Sequence, residues 1–319
     1  MTLEQPKAEG RKSKFVVAPK WIIGGLVILA AAALPLVTTE TSTLNLFFLV
    51  YLYITLSSSW NMLAGFAGQI SLGHAAFFGI GALVMRTLWL GGLYFLIALP
   101  IAGIVAALFA LLIGVPTFRL HGIYFTIGTL ALAEALRLTV SNLLPNISSL
   151  PVQDITQYEM STRYYLALAV TLITLGATYG MLRSRLSLGL FAIREDEEAA
   201  QSTGVRPVLH KLAASGISSF FAGTAGALYA FYQVSYYPSA PFGPQWTFDA
   251  LLITFVGGLG TLLGPVFGAL FFVLLREQIA VALGNWSVIL FGVLFIIVVL
   301  GLPGGLMDLG ARIQKRMRR

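Results

Sequence analysis

Long apolar runs alternate with short polar connectors over the whole sequence. Nine of these runs approach the length of about 20 residues that an α-helix needs to cross a bilayer. The runs are approximately Trp21–Val37, Leu44–Leu63, Ile70–Leu90, Leu93–Val115, Ile123–Val140, Tyr164–Leu182, Leu212–Tyr232, Leu251–Leu275 and Trp286–Leu302. This pattern predicts an all-α integral membrane protein, a polytopic helical bundle with about eight crossings.

Basic residues are concentrated in certain connectors and at both ends of the chain. The N-terminal tail, residues 1–20, is basic, and so are the connector Arg183–Lys211 and the C-terminal tail, residues 307–319. Because Lys and Arg accumulate on the cytoplasmic side of membrane proteins, we expect both termini in the cytoplasm. The segments Asn142–Thr162 and Gln233–Thr247 are poor in Lys and Arg, which predicts that both are external.

The number of runs conflicts with this orientation unless one run does not cross. Three runs follow the basic connector, and three crossings would place the basic C-terminal tail outside. The run Leu251–Leu275 is the candidate, because Gly and Pro are poor helix formers. We expect two half-helices in a re-entrant or broken hairpin within one membrane domain, residues 21–306. The interrupting residues are Gly257, Gly258, Gly260, Gly264 and Pro265.

An earlier glycine-rich stretch, Gly65 to Gly81, interrupts the second and third runs in a similar way. Its loose likeness to the later stretch suggests an internal repeat and a translocation site near the middle of the membrane. Close helix packing through small residues explains the same pattern equally well, so both interpretations stay open. The translocation-path candidates are Gly68, Gln69, Ser71, Gly73, His74, Gly257, Gly258, Gly260, Gly264 and Pro265.

A short charged segment, about residues 187–205, lies in the connector between the sixth and seventh runs. We predict one helix from Phe191 to Thr203 that ends at Gly204. A segment of this kind is either a solvated cytoplasmic helix or a docking site for a partner protein. Its apolar anchors are Phe191, Ile193 and Ala199, and the charged side chains available to a partner are Arg194, Glu195, Glu197 and Glu198.

Few ionisable residues lie inside the apolar runs. Glu134 and Arg137 are three residues apart on one helix face, a spacing that favours a structural ion pair. Intramembrane ionisable residues are also functional candidates by default, so that role stays open. Arg86 and Asp249 lie near external membrane edges and are expected to snorkel. For His74 a proton or substrate role stays open, because histidine in general titrates near neutrality, but a packing role is the commoner one.

The composition agrees with a membrane chain and narrows the chemistry. Of the 319 residues, 57% are hydrophobic and 10% are charged, whereas a soluble domain has about 25% charged residues. The lack of cysteine excludes a thiol nucleophile and a disulfide framework. We expect no metal, no cofactor and no catalytic residue, because neither a His-x-x-x-His pattern nor a G-x-S-x-G serine motif is present. The net charge of +7 comes from the basic connectors, so nucleic-acid binding is not expected.

Five stretches in register add a further signal over nearly the whole chain. They are Asn61–Gly79, Arg119–Tyr124, Ala192–Glu197 with Gly204, Gly257–Pro265 and Gly301–Leu306. Together they resemble the LivM-type permeases of the branched-chain amino acid ABC importer family. Within them, Glu198, Ala199 and Ala200 followed by Gly204 are similar to the EAA coupling loop of bacterial ABC-importer permeases.

The resemblance implies a permease subunit in the bacterial inner membrane that forms the translocation path for branched-chain or related small amphipathic amino acids. It implies as partners a LivH-like second permease, cytoplasmic ATPase subunits and an external substrate-binding protein. The chain has no G-x-x-x-x-G-K-[ST] phosphate loop, so we expect ATP hydrolysis on a separate subunit. The resemblance also implies that residues Phe191 to Gly204, including Ala200, couple the permease to the ATPase.

Two alternatives remain at this stage. An ion-gradient-driven secondary transporter also uses broken helices, and Glu134 is its best candidate for a buried acid. The same importer class also handles urea, amides and aromatic acids. The external stretch Leu143–Asp154 lacks the glycines that the family usually has there, which leaves the substrate open.

Overall fold

The computed structural model describes residues 18–38, 40–146, 148–149, 158–283, 292–293 and 305–308. All but two residues of the predicted run Trp286–Leu302, and most of the two basic tails, lie outside the described residues. The chain divides into two units, Met1–Glu40 and Thr41–Arg319. The first contributes one helix, α1, Ala18–Val37, which contains Pro35 two residues before its end.

The second unit is built of helices, as the apolar runs predicted. They are α2 Thr41–Ala67, α3 His74–Leu90, α4 Phe95–Thr117, α5 Ile123–Leu143, α6 Met160–Leu182, α7 Arg185–Glu195, α8 Glu197–Ser202, α9 Pro207–Tyr232, α10 Gln245–Gly257 and α11 Gly264–Leu283. A 3₁₀ turn, Ala240–Phe242, precedes α10. The expected all-α polytopic bundle is therefore confirmed.

Helix α2 is the central element of this unit. It packs against α6, α9, α10 and α11, and most of its length is buried. The buried residues include a polar series, and most of its hydroxyl and amide groups bond to backbone carbonyls and to side chains of the neighbouring segments, with the Ser58 hydroxyl as an exception among the described residues. For example, Thr55 Oγ1 lies 3.0 Å from Thr171 Oγ1, and Ser218 Oγ donates to the carbonyl of Ser59 over 2.6 Å. These contacts fix the neighbouring helices around α2.

Four of the described helices are long and apolar enough to cross a membrane. They are α2, α4, α5 and α6. Helices α3, α4 and α9 pack closely on one another, and α5 lies against α3, α4 and the 3₁₀ turn. Two short strands, β1 Ser148–Ser149 and β2 Ser235–Tyr236, pair antiparallel. They bring the two connectors that were predicted to be external to the same end of the bundle.

The structure corrects one predicted run and refines another. The third run does not begin as a helix at Ile70, because residues 68–73 are irregular and α3 starts at His74. The run Leu251–Leu275 is broken, as predicted, into α10 and α11. These two helices are antiparallel and approach so closely that a Cβ at Gly257 or Gly268 would overlap carbonyl oxygens of the facing helix. We call them the α10–α11 hairpin, and residues 258–263 its tip.

Candidate functional site

The tip of the hairpin is fastened to the C-terminal part of α2 by one buried side chain. Asn61 is fully buried, and its Nδ2 donates to the carbonyl oxygen of Thr261 over 2.9 Å. The backbone N–H of Gly260 donates to Asn61 Oδ1 over 2.8 Å. The amide therefore satisfies one donor and one acceptor of a turn that has no helical partners. The two glycine-rich stretches, about 190 residues apart in sequence, meet at this point.

Glycine is required on both sides of this contact. A Cβ on Gly65 would lie 2.8 Å from the backbone nitrogen of Gly260 and 2.9 Å from its Cα. Gly260 has φ +75°, in the left-handed region that side-chain-bearing residues rarely adopt. The two backbones are therefore in direct contact, with no space for a side chain between them.

Arg194 of α7 joins this contact from the side. Its Nη1 donates to the carbonyl oxygen of Gly65 over 2.8 Å, and the same atom lies 3.3 Å from where a Cβ on Gly260 would stand. The methylene stem crosses Gly68, where a Cβ would lie 2.8 Å from Arg194 Cγ. One side chain thus touches α2, the segment after it and the hairpin tip. We call the set Asn61, Gly65, Gly68, Arg194 and Gly260 the joint.

The charged segment around the joint differs from the predicted single helix. The predicted helix Phe191–Thr203 is two helices, α7 and α8, because Asp196 is extended, with φ −158° and ψ 112°. The Asp196 side chain accepts hydrogen bonds from the N–H groups of Glu198 and Ala199, each over 3.0 Å, and so caps α8. The predicted stop is confirmed, since α8 ends at Ser202 and Gly204 turns with φ +91°.

The apolar side of α7 faces its own chain. Leu190 is fully buried and Ile193 is 4% exposed, and the half-buried Phe191 packs edge-on against Phe66, with ring centroids 5.8 Å apart. Of the predicted apolar anchors, Ile193 therefore packs into its own chain and is not available to a partner, and Phe191 is only partly available. A hydrophobic residue beside a large apolar core lowers its free energy most by joining that core. Ala199, the third predicted anchor, is exposed.

A buried ion pair that sequence reasoning missed fastens α8 to α9. Lys211 Nζ donates to Glu197 Oε2 over 2.7 Å, and the Lys211 side chain is 1% exposed. Ala200, the buried residue of α8, faces the same side. Glu195, Glu198 and Ala199 are left exposed on the outer surface. The 14-residue separation of the pair gave no sequence signal, because it joins two different helices.

The first glycine-rich stretch is packed between helices. Trp60 Nε1 donates to the carbonyl oxygen of Ser71 over 2.8 Å, and the N–H of Leu72 donates to Thr129 Oγ1 over 3.1 Å. His74 is fully buried, and its Nε2 lies 3.1 Å from Ser59 Oγ. Its Nδ1 has no partner within the described part of the chain. Gln69 is half-buried and Gly68 is exposed, so this geometry favours packing for Ser71, Gly73 and His74.

The intramembrane charges are placed differently from one another. Glu134 and Arg137 form the predicted pair, with Arg137 Nε 2.8 Å from Glu134 Oε2. Asp249 does not snorkel, because it accepts from Tyr53 over 2.9 Å and pairs with Arg276 over 3.4 Å. Arg86 does not snorkel either. It is 2% exposed, and its guanidinium donates to the carbonyl oxygens of Gln233 and Val234.

Residues 42–299 match one family model, described as the permease component of branched-chain amino acid transport systems. The chain belongs to that family. The joint, α7 and α8 all lie inside the matched residues, and so do all the charges described above. Permease components are transport subunits, and the apolar helices agree with a multi-pass membrane protein.

Curated relatives agree with the family match. LivM, the high-affinity branched-chain amino acid transport system permease protein of Escherichia coli (strain K12), is 30% identical over 326 residues, covering 92% of this chain and 76% of the relative. A probable branched-chain amino acid transport permease protein LivM of Methanocaldococcus jannaschii is 26% identical over 311 residues, covering 80% of this chain and 90% of the relative. No solved structure matches the chain.

Proposed function

We propose that this permease is the membrane-spanning subunit of an ATP-driven importer, that it carries branched-chain or related small amphipathic amino acids, and that a separate ATPase drives it through α7 and α8. The observation that carries the proposal is the Arg194 contact. The helix α7, which carries the exposed Glu195, packs on α2 through its apolar side, and its Arg194 guanidinium also reaches the tip of the helical hairpin. Movement of α7 would therefore reach the membrane part of the chain directly.

Two cationic side chains attach the α7–α8 segment to the rest of the helical unit. Arg194 holds α7 to α2, and Lys211 holds α8 to α9 through Glu197. Removal of one partner of a buried pair leaves the other charge uncompensated, so the Lys211 contact resists separation of α8 from α9. Coupling between two proteins requires an element whose position both of them bias. The exposed Glu195, Glu198 and Ala199 supply the outer contact of that element, and the joint supplies the inner one.

The same proposal assigns the orientation. We place α7, α8 and both tails, residues 1–20 and 307–319, in the cytoplasm of a bacterial cell, and the bundle within residues 21–306 in its inner membrane. Residues 305–308 support this, because Gly305 and Met307 lie against Gly258 at the hairpin tip, which Arg194 of α7 also contacts. The start of the C-terminal tail is therefore on the same side of the bundle as α7. A cysteine placed in the C-terminal tail of this cysteine-free chain tests the orientation. A membrane-impermeant thiol reagent added outside intact cells should leave it unlabelled, and labelling would contradict the assignment.

The proposed partners are a second, LivH-like permease, cytoplasmic ATPase subunits and an external substrate-binding protein. The decisive variant is Glu198→Lys, since Glu198 is exposed and its side chain forms no hydrogen bond or ion pair with the described residues. It should insert normally and lose the stimulation of ATP hydrolysis by the substrate-loaded binding protein. The matched control is Glu159→Lys, the same charge change at an exposed residue just before α6.

The measurement is ATP hydrolysis and amino acid uptake by the reconstituted importer. Glu159→Lys should keep both, whereas Glu198→Lys should lose both. Full ATP-coupled uptake by Glu198→Lys would contradict the docking role and leave α7 and α8 as a solvated connector. Uptake that follows a proton or sodium gradient without ATP would instead identify a secondary transporter.

A further inference from the structure

One face of α5 is not covered by the part of the chain that the structure describes. The residues Ile123, Ile127, Ala131, Glu134 and Leu138 follow one another at intervals of three or four, so they form a stripe along one side of the helix. Every member of this stripe is exposed or partly exposed, while Thr129 and Ala133 on the opposite side are buried. We call the stripe the open face of α5.

An ion pair lies near the middle of this open face. Glu134 is about 16 Å from the start of α5 and about 14 Å from its end, at about 1.5 Å per residue. Its side chain is 41% exposed and that of Arg137 is 35% exposed. Neither has another hydrogen-bond partner within the described part of the chain. The charges are thus displayed away from the bundle at mid-membrane depth.

Lipid is a poor neighbour for such a surface. Charged groups at the centre of a bilayer cost several kcal/mol and normally face protein or a water-filled cavity. In the described pair Lys211–Glu197, by contrast, the Lys211 side chain is 1% exposed and is covered by the chain itself. Small residues on the open side of α5, Ala131 and Ala135, leave room for solvent or a solute beside the charges. The open face therefore calls for a polar neighbour, either protein or water, and the space beside the small residues favours water or a polar solute.

The pair has unused capacity for hydrogen bonds of both kinds. A guanidinium carries five N–H donors, and Arg137 uses Nε and Nη2 toward Glu134. An ionised carboxylate has about four acceptor positions, and Arg137 occupies only part of them. The remaining guanidinium donors can bind a carboxylate, and the remaining carboxylate lone pairs can accept from an ammonium group. A zwitterionic α-amino acid presents those two groups side by side.

We propose that the open face of α5 forms part of the wall of the translocation path, and that Glu134 and Arg137 bind the ammonium and carboxylate groups of a zwitterionic solute as it passes. This inference rests on the proposed function as a permease. It adds the surface that the solute contacts and the part of the solute that is recognised. The side chain of the amino acid is left to contacts elsewhere on the path.

The first experiment tests whether the open face of α5 is accessible to water. Single cysteines at Ile127, Ala131 and Leu138 are compared with cysteines at Leu112 of α4 and Ile173 of α6, which are 73% and 62% exposed on other helices. The chain has no native cysteine, so labelling is read on this chain in the assembled importer. A charged, membrane-impermeant thiol reagent should modify the three α5 positions and neither control. Equal absence of labelling at all five positions would overturn the proposal.

The second experiment separates solute binding from a structural pair. The double variant Glu134→Gln with Arg137→Gln keeps polarity without charge, and the exchange Glu134→Arg with Arg137→Glu keeps the ion pair in reverse order. Both should retain ATP hydrolysis stimulated by the loaded binding protein, while amino acid uptake falls by about tenfold or more, the loss expected for a charge-assisted hydrogen bond. Full uptake by the exchanged pair would show a structural role only and overturn the binding claim.

ATP hydrolysis, amino acid uptake and cysteine labelling together distinguish a failure of this inference from a failure of the proposed function. If stimulated ATP hydrolysis persists in the two charge variants but is lost in Glu198→Lys, the docking role stands whatever the uptake result shows. If Glu198→Lys transports normally while the cysteines of α5 are labelled and the charge variants lose uptake, the open face is part of a path that is not driven through α8.

Discussion

Helices α2 and α5 have the same mean hydropathy over their most apolar windows, yet 83% of that window is buried in α2 and 22% in α5. Both carry polar residues within the apolar sequence. In α2 these are small groups such as Thr55, which bonds to α6, and Asn61, which bonds to the tip of the α10–α11 hairpin. In α5 they include the exposed charges Glu134 and Arg137. Equal hydropathy therefore conceals two different roles, one helix that organises the bundle and one that borders it.

The difference teaches how polar residues are used in a membrane chain. A hydroxyl or amide inside a bundle stabilises when each of its hydrogen-bonding groups finds a partner, and it is costly when left alone. Every polar contact of α2 described above is made with another part of the same unit. Among the described residues, the side chains of Glu134 and Arg137 in α5 bond to each other alone, and both remain partly exposed. Matched substitutions in the two helices should therefore have unequal effects.

The largest difference is expected between two leucines. Leu56 of α2 is fully buried and Leu138 of α5 is 50% exposed. Leu56→Ala removes packed methyl groups and leaves a cavity, so it should lower the free energy of unfolding by about 3 kcal/mol. Leu138→Ala should change it by less than about 0.5 kcal/mol. Thermal unfolding of the purified protein in detergent measures both, and similar shifts for the two variants would remove the distinction between the helices.

A smaller difference is expected between two asparagines. Asn61→Ala leaves the N–H of Gly260 and the carbonyl of Thr261 without their partner at the hairpin tip. The expected loss of stability is about 2 kcal/mol, the cost of a buried unsatisfied polar group. Asn142 near the end of α5 is exposed, so Asn142→Ala should be nearly neutral. Limited proteolysis near residues 258–263 gives a second readout, because a released tip should be cleaved faster in Asn61→Ala alone.

The smallest difference is expected between two threonines. Thr55 of α2 is fully buried and contacts Thr171, whereas Thr139 of α5 is exposed and its hydroxyl donates to the carbonyl of Ala135 in its own helix. Thr55→Ala should cost about 1 kcal/mol, since Thr171 keeps its bond to the carbonyl of Tyr51. Thr139→Ala should have no measurable effect on the melting temperature. A larger loss for Thr139→Ala than for Thr55→Ala would show that α5 is held by contacts on its open face.

Local sequence determined where most of the described helices lie. Backbone groups in a membrane must be satisfied within the segment, so an apolar run of sufficient length becomes a helix wherever glycine and proline do not interrupt it. The break inside Leu251–Leu275, the turn at Gly204 and the pairing of Glu134 with Arg137 were all predicted from short spacings. Each of them depends on residues that are close in sequence.

Only the tertiary structure decided which way the side chains face and what they hold. Asn61 bonds to a residue 200 positions away, and Arg194 to one 129 positions away. The burial of Arg86 and Asp249, which the sequence predicted to lie at the membrane edge, also depends on partners that are distant in sequence. Hydropathy records how apolar a segment is but not which of its faces meets another helix. That choice depends on the packing of distant segments, because a polar group lowers its free energy only where the fold brings it a partner.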